Sequence, residues 1–296
     1  AGMMVSFVAV LFLAGFGLKT ALVPFHAWLP DAHPSAPAPI SAMLSGVFIK
    51  TLGVYALCRV FFNILTVSSQ LLFVLIVLGM ISMVVGAFLA IAQTDIKRMF
   101  AYSSISQIGY IIFALGIGTP LAFFGALFHL FNHAVFKSLL FLNSGAIEYS
   151  AHTRNLNKLG GLNRSLPVTG YTSLLGSMAI SGIPPLGGFW SKLIIIIAAI
   201  QAGYFVSALV AILISILTLA YYLKFLKFTF FGKINEARQN IREVPGLMKL
   251  SMIFLGIICV ISGLLIVPLF KPFLQSAVNV LLLGNGYKDA VFGMLR

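Results

Sequence analysis

The chain has 296 residues, of which 60% are hydrophobic and only 8% are charged. In soluble domains roughly a quarter of the residues are charged, so this composition excludes a water-soluble globule and indicates a lipid-covered protein. Lys and Arg outnumber Asp and Glu by 19 to 6. The basic residues stand singly at helix ends and in loops, which argues against a nucleic-acid-binding surface. Cys58 and Cys259 lack the spacing of a metal site or a redox pair.

Eight apolar stretches are long enough to span about 30 Å of hydrocarbon at about 1.5 Å per residue. They predict an all-α fold, a polytopic membrane helix bundle of about eight transmembrane helices. The predicted helices cover residues 3–29, 37–62, 70–92, 97–117, 120–147, 166–201, 203–231 and 247–268. An apolar tail at 273–283 is too short to span, so we expect it to lie at the membrane interface.

Two predicted helices contain residues that ordinary spans avoid. The first contains Pro24, and the sixth contains Gly182, Pro184, Pro185, Gly187 and Gly188. Proline removes an N–H donor and clashes with the preceding turn, so both helices are predicted to break there. Many proline kinks are only structural. Paired breaks beside lysines, however, are typical of the ion path of a transporter built from repeats.

Four lysines fall near the middle of predicted spans, namely Lys19, Lys50, Lys137 and Lys192. A lysine at the centre of a membrane helix costs about 2.5–3.5 kcal/mol to insert. We therefore expect a hydrated interior path to hold these side chains. Lys19 and Lys192, beside the two breaks, are both expected to face the protein interior.

His129, His133 and Lys137 are spaced by four residues, so they share one helix face. The alternatives are core histidines bonded to backbone carbonyls, or a His-x-x-x-His metal site, which a nearby lysine and the lack of carboxylate or thiolate ligands disfavour. A proton relay accounts for all three residues together. Polar residues of helix 97–117 are expected either to hold water or to bond to neighbouring helices; these are Ser103, Ser104, Ser106, Gln107 and Tyr110.

Alternate loops differ strongly in charge. One face receives Lys97, Arg98, Arg154, Lys158, Arg164, Lys233, Arg238 and Arg242, whereas the other receives Arg59 and the tail residues Lys271, Lys288 and Arg296. The positive-inside rule makes the first face cytoplasmic and places both termini of the chain outside. The pairs Tyr221-Tyr222 and Phe230-Phe231, near the basic end of their helix, are predicted to join an interfacial aromatic belt.

Four ordered blocks of the sequence resemble one family. They are KTALVPFHAWLPDAH at 19–33, followed by PAPISA at 37–42 and Lys50; DIKRMFAYSSISQIGY at 95–110; HAVFKSLLFL at 133–142; and GIPPLGGFWSK at 182–192. They resemble the antiporter-like, proton-translocating membrane subunits shared by respiratory complex I, membrane-bound hydrogenase-type complexes and Mrp cation/proton antiporters. The resemblance covers nearly the whole chain.

This resemblance implies a fold of fourteen helices with two inverted five-helix repeats, of which the chain matches the last eight. Residues 1–62 would be the end of the first repeat, 63–231 the second repeat with its broken helix at 166–201, and 232–296 a closing helix and interfacial tail. By position, Lys19 would be the lysine of the first broken helix and Lys50 the central relay residue, which is histidine in some relatives. His133 and Lys137 would connect them to Lys192, which would face the exit.

The family pairs the lysine at position 19 with an upstream glutamate that has no counterpart in this chain. We therefore expect Lys19 either to meet a carboxylate from a neighbouring subunit or to lie in a closed, poorly hydrated pocket. The position of the second broken-helix lysine, Lys192, is occupied by glutamate in some relatives.

The predicted function is that of an ion-translocating subunit of a respiratory or hydrogenase-like redox complex, carrying protons or sodium ions. The relay would be formed by Lys19, Lys50, His129, His133, Lys137 and Lys192. An Mrp-type sodium/proton antiporter subunit and a truncated membrane subunit that does not pump are the alternatives. No nucleotide-binding glycine pattern, iron–sulfur cysteine set or hydrolytic triad is present, so the chain is expected to bind no cofactor or metal and to transport ions for a larger oxidoreductase.

The partners follow from the same prediction. They are other membrane subunits, including antiporter-like paralogues, together with lipid and the protons or sodium ions, and not nucleic acid. The expected location is the plasma membrane of a prokaryote.

Overall fold

The computed structural model describes residues 2–65, 68–233, 241–266, 268, 271–284 and 286. Arg238, Lys288 and Arg296, which entered the charge comparison, lie outside this part of the chain. Every regular element within it is a helix. Six of these helices are long and apolar enough to cross a membrane, and two shorter apolar helices, Met4–Thr20 and Gly187–Gln201, accompany them. The predicted all-α membrane bundle is confirmed.

The helices follow the predicted order. Their bounds are α1 Gly2–Thr20, α2 Leu29–Ser35, α3 Ala38–Met43, α4 Ile49–Cys58, α5 Ser69–Ala92, α6 Ile96–Ile117, α7 Pro120–Ala151, α8 Pro167–Ser181, α9 Gly187–Gln201, α10 Phe205–Leu226, α11 Gly246–Ile261 and α12 Lys271–Leu282. Wider π-helical turns join α3 to α4 in one span, Ala38–Ile64, and extend α10 to Phe231.

The first predicted break lies between α1 and α2. Helix α1 ends at Thr20, and Ala21 has a left-handed φ of 58°. The turns that follow contain Pro24 and are held from two sides. The backbone N–H of Val23 donates to Ser82 Oγ of α5 at 3.0 Å, and Trp28 Nε1 donates back to the Leu18 carbonyl of α1 at 3.0 Å.

The second predicted break separates α8 from α9. Helix α8 ends at Ser181, where Gly182 follows at φ 85°, a conformation that costs little only for glycine. Helix α9 then begins at Gly187. A Cβ atom at Gly188 would lie 1.8 Å from the Ala179 carbonyl oxygen, so a glycine is needed for α9 to start this close to α8. Both predicted breaks are confirmed.

The centre of the bundle is α6, which is buried over nearly its whole length. It packs against α5 with backbone almost touching backbone. Four glycines permit this approach, because a Cβ at each would lie 2.4–2.6 Å from a backbone nitrogen of the other helix; they are Gly79, Gly86, Gly109 and Gly116. Helix α7 packs on the other side of α6 and carries the predicted relay residues.

The apolar tail forms α12, whose buried residues Leu274, Val278 and Leu281 are spaced as one helix face. Asn63 Nδ2 donates to the Val280 carbonyl at 2.8 Å and ties α12 to the end of the Ala38–Ile64 span. The helix is therefore packed against the bundle. Its predicted place at a membrane interface stays a prediction.

Candidate functional site

Five of the six predicted relay residues lie inside the bundle. Helix α7 carries His129, His133 and Lys137, all fully buried, while Lys50 of α4 is 0% exposed and Lys192 of α9 is 2% exposed. Lys137 lies within electrostatic reach of both Lys50 and Lys192. The buried groups therefore form one row across the protein interior, from the first break to the second.

The lysines at the two ends of the row bond to the ends of interrupted helices. Lys50 Nζ donates to the carbonyl of Thr20, the last residue of α1. Lys192 Nζ donates to the Ile180 carbonyl in the last turn of α8 at 2.8 Å. The last carbonyls of a helix lack intrahelical partners and carry a partial negative charge. Each ammonium group is thus stabilised by helix-end dipoles.

Lys137, in the middle of the row, has different partners. Its Nζ donates to the Phe100 carbonyl of α6 at 2.8 Å and to the Tyr222 hydroxyl of α10 at 3.3 Å. The same nitrogen lies 5.9 Å from the Phe100 ring centroid and 6.0 Å from that of Tyr222. Aromatic faces and neutral oxygens hold this cation.

The histidines lie between the lysines. His129 Nδ1 and Ser191 Oγ of α9 are 2.9 Å apart, which ties α7 to the residue before Lys192. Nε2 of His129 and both ring nitrogens of His133 have no hydrogen-bond partner among the described residues. The alternative of core histidines bonded to backbone carbonyls is therefore wrong here. Buried unpaired ring nitrogens are costly in a dry core and suit a hydrated path.

Lys19 is the exception, because it is exposed on the surface of the described chain. Lys19 is therefore not enclosed by this chain alone, and the expectation that it faces the protein interior stays a prediction. The buried face of α1 contains Ala9, Leu13 and Thr20, and Thr20 packs against Gly53 of α4. The Cγ atom of Lys19 also lies beside Gly53, so the stem of this side chain follows α4 while the residue as a whole stays exposed. Its role in a relay stays a prediction.

Sequence reasoning also misplaced two tyrosines. The prediction of an interfacial belt at Tyr221 and Tyr222 is wrong, because both side chains are fully buried. The Tyr222 hydroxyl reaches Lys137, and both tyrosine hydroxyls bond to Ser103 of α6. The sequence contains a sign of this in the hydroxyl residues that recur along one side of α10 at Ser215 and Thr218.

The polar face of α6 largely bonds to neighbouring helices. Ser104 Oγ lies 3.0 Å from Ser45 Oγ, and Ser106 Oγ donates to the Met83 carbonyl at 2.8 Å. For these two serines, interhelical bonding is the alternative that the structure supports. Gln107 differs, because neither of its buried amide atoms has a partner among the described residues.

His33 is a further residue that sequence reasoning did not assign to the relay. It lies in α2, before the Ala38–Ile64 span, and is only 1% exposed, with its ring 4.6 Å from that of Phe141. Burial, and then the nearby charges of Lys50, Lys137 and Lys97, lower the pKa of His33 to about 3. His33 is therefore neutral at physiological pH.

The ion pairs found among the described residues lie at one face of the bundle, away from the row. Lys97 pairs with Glu148 at 2.9 Å, and Arg154 pairs with Asp95 at 3.2 Å. Arg154 also donates to the Pro34 carbonyl at 2.7 Å. These contacts fix the connecting segment before α3 against the ends of α6 and α7. Glu148 is thus a helix-end ion-pair partner.

Beside Lys192, a cavity of about 250 Å³ is lined by both sides of the second break and by α10. It includes Gly182, Ser215 and Ile212. Among the residues that the structure describes, no group of three or more His, Cys, Asp or Glu side chains could hold a metal ion. The arrangement can hold, move and release protons or small cations through lysine, histidine and hydroxyl groups.

Residues 1–218 match the family described as NADH:quinone oxidoreductase/Mrp antiporter, transmembrane. The chain belongs to this family. Over 284 residues it is 35% identical to hydrogenase-4 component B of Escherichia coli (strain K12), an alignment that covers 86% of this chain and 42% of that protein. Over 275 residues it is 34% identical to a subunit of the Na(+)/H(+) antiporter of Alkalihalophilus pseudofirmus, covering 93% of this chain and 56% of the relative.

A solved structure, the Mrp complex from Dietzia sp. DQ12-45-1b, contains a chain with the same fold. The TM-score is 0.86 at 26% identity, over 95% of this chain and 59% of the other. The chain therefore spans about half the length of the family members it matches. The all-α membrane fold and the family resemblance predicted from the four sequence blocks are both confirmed.

Proposed function

We propose that this chain is part of an ion-translocating membrane subunit, and that protons cross its interior between Lys50 and Lys192. The observation that carries the proposal is the buried row of Lys50, Lys137, His133, His129 and Lys192. Isolated lysines at membrane depth are costly, and such residues mark ion paths and proton relays. Family membership points in the same direction.

The mechanism follows from the spacing of charges. Lys137 lies within electrostatic reach of Lys50 on one side and Lys192 on the other. A proton that arrives on one lysine raises the cost of holding charge on its neighbour, so the next proton is released onward. The helix-end carbonyls stabilise each ammonium group with a partial charge, which allows the proton to leave again.

The relatives favour two settings for this activity. Similarity to hydrogenase-4 component B supports a subunit of a respiratory or hydrogenase-like redox complex. Similarity to a component of a Na(+)/H(+) antiporter and to the Mrp complex supports the second candidate, in which sodium moves against protons. In both settings the chain would bind no cofactor and would contact other membrane subunits, including antiporter-like paralogues, and lipid.

The proposed function also assigns a protein contact to Lys19 and a membrane side to the face that carries the ion pairs. An exposed lysine at this depth would be costly in lipid, so we assign the outer face of α1 to contact with another protein segment that supplies a polar or acidic group. The face that carries Lys97, Arg98 and Arg154 would be cytoplasmic in a prokaryotic plasma membrane, with both ends of the chain outside.

The test uses membrane vesicles from cells that make the full-length protein with its partner subunits. Proton movement is followed with a pH-sensitive dye, first during electron transfer and then after addition of sodium. Lys192→Met should reduce ion movement by at least about tenfold, or about 1.4 kcal/mol of barrier, because the terminal carrier is lost. The response to sodium separates the two candidates.

Lys224→Met is the matched control. Lys224 Nζ also bonds to helix-end carbonyls, at Ile91 and Gln93, but outside the row. This variant should keep wild-type ion movement. Normal ion movement in an assembled Lys192→Met complex would contradict the proposed function and leave Lys192 with a structural role.

A further inference from the structure

The space between α6 and α10 contains a second set of polar groups that runs beside the histidines. At one end, Lys137 Nζ donates to the Tyr222 hydroxyl at 3.3 Å. The Tyr222 and Ser103 hydroxyl oxygens are 3.1 Å apart, and Tyr221 donates to Ser103 Oγ at 2.9 Å. Three hydroxyl groups are thus linked in an unbroken chain that starts at the central lysine.

The same set of polar groups between α6 and α10 continues toward Lys192. The Tyr221 hydroxyl lies beside Gln107, whose buried amide nitrogen and oxygen have no hydrogen-bond partner among the described residues. One turn further along α6, the Tyr110 hydroxyl donates to the Ala211 carbonyl of α10 and lies beside Ser215, to which Lys192 Nζ donates at 3.3 Å. Lys192 also lies 5.0 Å from the Tyr110 ring centroid. This set of polar groups therefore ends at Lys192.

Helix geometry explains why these groups meet. Ser103, Gln107 and Tyr110 are spaced by four and three residues on α6, and Ser215 and Tyr222 are seven apart on α10. Such spacings place each set on one face of its helix. All of these side chains except Ser215 are fully buried. Burial of so many hydroxyls in a membrane protein is costly unless they bond to each other or to water.

We propose that Lys137 and Lys192 are connected by two parallel proton routes, the histidines of α7 and a hydroxyl route formed by Tyr222, Ser103, Tyr221, Gln107, Tyr110 and Ser215. The inference rests on the proposed function and extends it to residues outside the lysine–histidine set. The histidine route runs through His133, His129 and Ser191. The two routes lie side by side, since the rings of His129 and Tyr110 are 5.8 Å apart.

The transfer balances along the hydroxyl route. One N–H bond of the Lys137 ammonium breaks, and its proton forms a new O–H bond on Tyr222. Each hydroxyl in turn passes its original proton onward and keeps the one it receives. At Gln107 the amide oxygen takes up a proton as the amide nitrogen releases one, so the side chain becomes the imidic acid, and the next transfer through the flipped group restores the amide. The last proton forms an N–H bond on neutral Lys192, Lys137 is left neutral, and no hydroxyl ends charged. Lys137 donates to Tyr222 whereas Tyr221 donates to Ser103, so transfer from Lys137 to Lys192 requires the Tyr221 hydroxyl to rotate away from Ser103 and the Tyr110 hydroxyl to rotate away from the Ala211 carbonyl.

The experiment compares two single variants with their combination in the vesicle assay. Tyr222→Phe removes one hydroxyl while keeping the ring that lies against Lys137, and His133→Leu removes the imidazole with little change of volume. If two similar routes share the flux, each single variant slows proton movement by about twofold, whereas the double variant falls by at least about tenfold. Tyr171→Phe, at an exposed tyrosine of α8, is the control and should match wild type.

Ser103→Ala provides a second interruption of the hydroxyl route, should Tyr222→Phe fail to assemble. The inference is overturned if the double variant is no slower than His133→Leu alone, because the hydroxyls then carry no protons. It is also overturned if Tyr222→Phe alone is as inactive as Lys192→Met, because the groups are then in series. Retained activity in Lys192→Met would instead mark failure of the proposed function itself.

Discussion

At each of the two breaks, a buried lysine bonds to the end of the interrupted helix, but the two lysines come from different positions in the chain. At the second break, Lys192 lies on α9, the continuation of the broken helix, and bonds to the end of α8. At the first break, the bond to the end of α1 comes from Lys50, on the following span. Lys19, on the broken helix itself, is exposed. What the two sites share is one buried ammonium group at each free helix end.

The breaks also differ in how they are closed. Helix α9 starts so close to α8 that only glycine fits at position 188. The first break is held by side chains instead, with Ser82 bonded to Val23 and Trp28 bonded to Leu18. The second break therefore depends on backbone packing, and the first depends on individual hydrogen bonds. This difference can be tested by substitution.

The largest effect is expected from Gly188→Ala. The added Cβ would meet the Ala179 carbonyl at 1.8 Å, so α8 and α9 must separate. We expect a loss of roughly 3 kcal/mol or more, at the upper end of overpacking costs. The measurement is the thermal unfolding midpoint of the purified protein in detergent. Gly15→Ala, in α1 with open space around it, is the matched control and should unfold no earlier than wild type.

The next effect tests whether the two ammonium groups are equivalent. Lys50→Met should slow ion movement in vesicles by at least about tenfold, as Lys192→Met does, because the end of α1 loses its buried proton carrier. Lys50→His should recover part of the activity, since histidine also titrates near neutral pH. If Lys50→Met were active while Lys192→Met was inactive, the two ammonium groups would not be equivalent in ion movement.

A smaller effect separates the serines beside the breaks. Ser82→Ala leaves the half-buried Val23 N–H without this partner, so it should destabilise the protein by about 1 kcal/mol and leave ion movement unchanged. Ser215 bonds to Lys192 and to the Ser181 carbonyl. Ser215→Ala should therefore slow ion movement by several-fold. If both variants changed transport equally, the assignment of a structural role to Ser82 and a conducting role to Ser215 would be wrong.

The smallest effect concerns the contact between Ser191 and His129. Ser191→Ala deletes a single hydrogen bond within one of the two routes, so ion movement should fall by no more than about twofold. Ser191→Thr keeps the hydroxyl and should remain close to wild type. A complete loss in Ser191→Ala would show that His129 depends on this serine far more than one bond allows.

Spans and breaks could be predicted from the sequence because their causes are local. Apolar length places a helix in the membrane, and Pro24 or the Gly-Pro run at 182–188 interrupts it whatever surrounds it. The depth of Lys50, Lys137 and Lys192 follows from counting residues. The structure reproduces the spans and the breaks, and it buries all three of these lysines within the bundle.

The direction in which a side chain points is harder to predict. Helix α1 is apolar on all sides, so no amphipathic pattern marks which face packs on α4, and the exposure of Lys19 in this chain could not be predicted. The pair Tyr221-Tyr222 resembles an interfacial belt in composition, yet α6 and α7 bury both rings. Which helix lies beside which is set by packing over the whole bundle. Local composition contains little of that information.

The glycine contacts between α5 and α6 limit how this protein can work. Two helices whose backbones almost touch at Gly79, Gly86, Gly109 and Gly116 cannot slide or tilt against each other without a steric collision. The two helices therefore form a rigid pair, against which other parts of the protein move. We expect the ion path to open and close through rotation of hydroxyl groups, movement of water and displacement of the interrupted helices around this rigid pair.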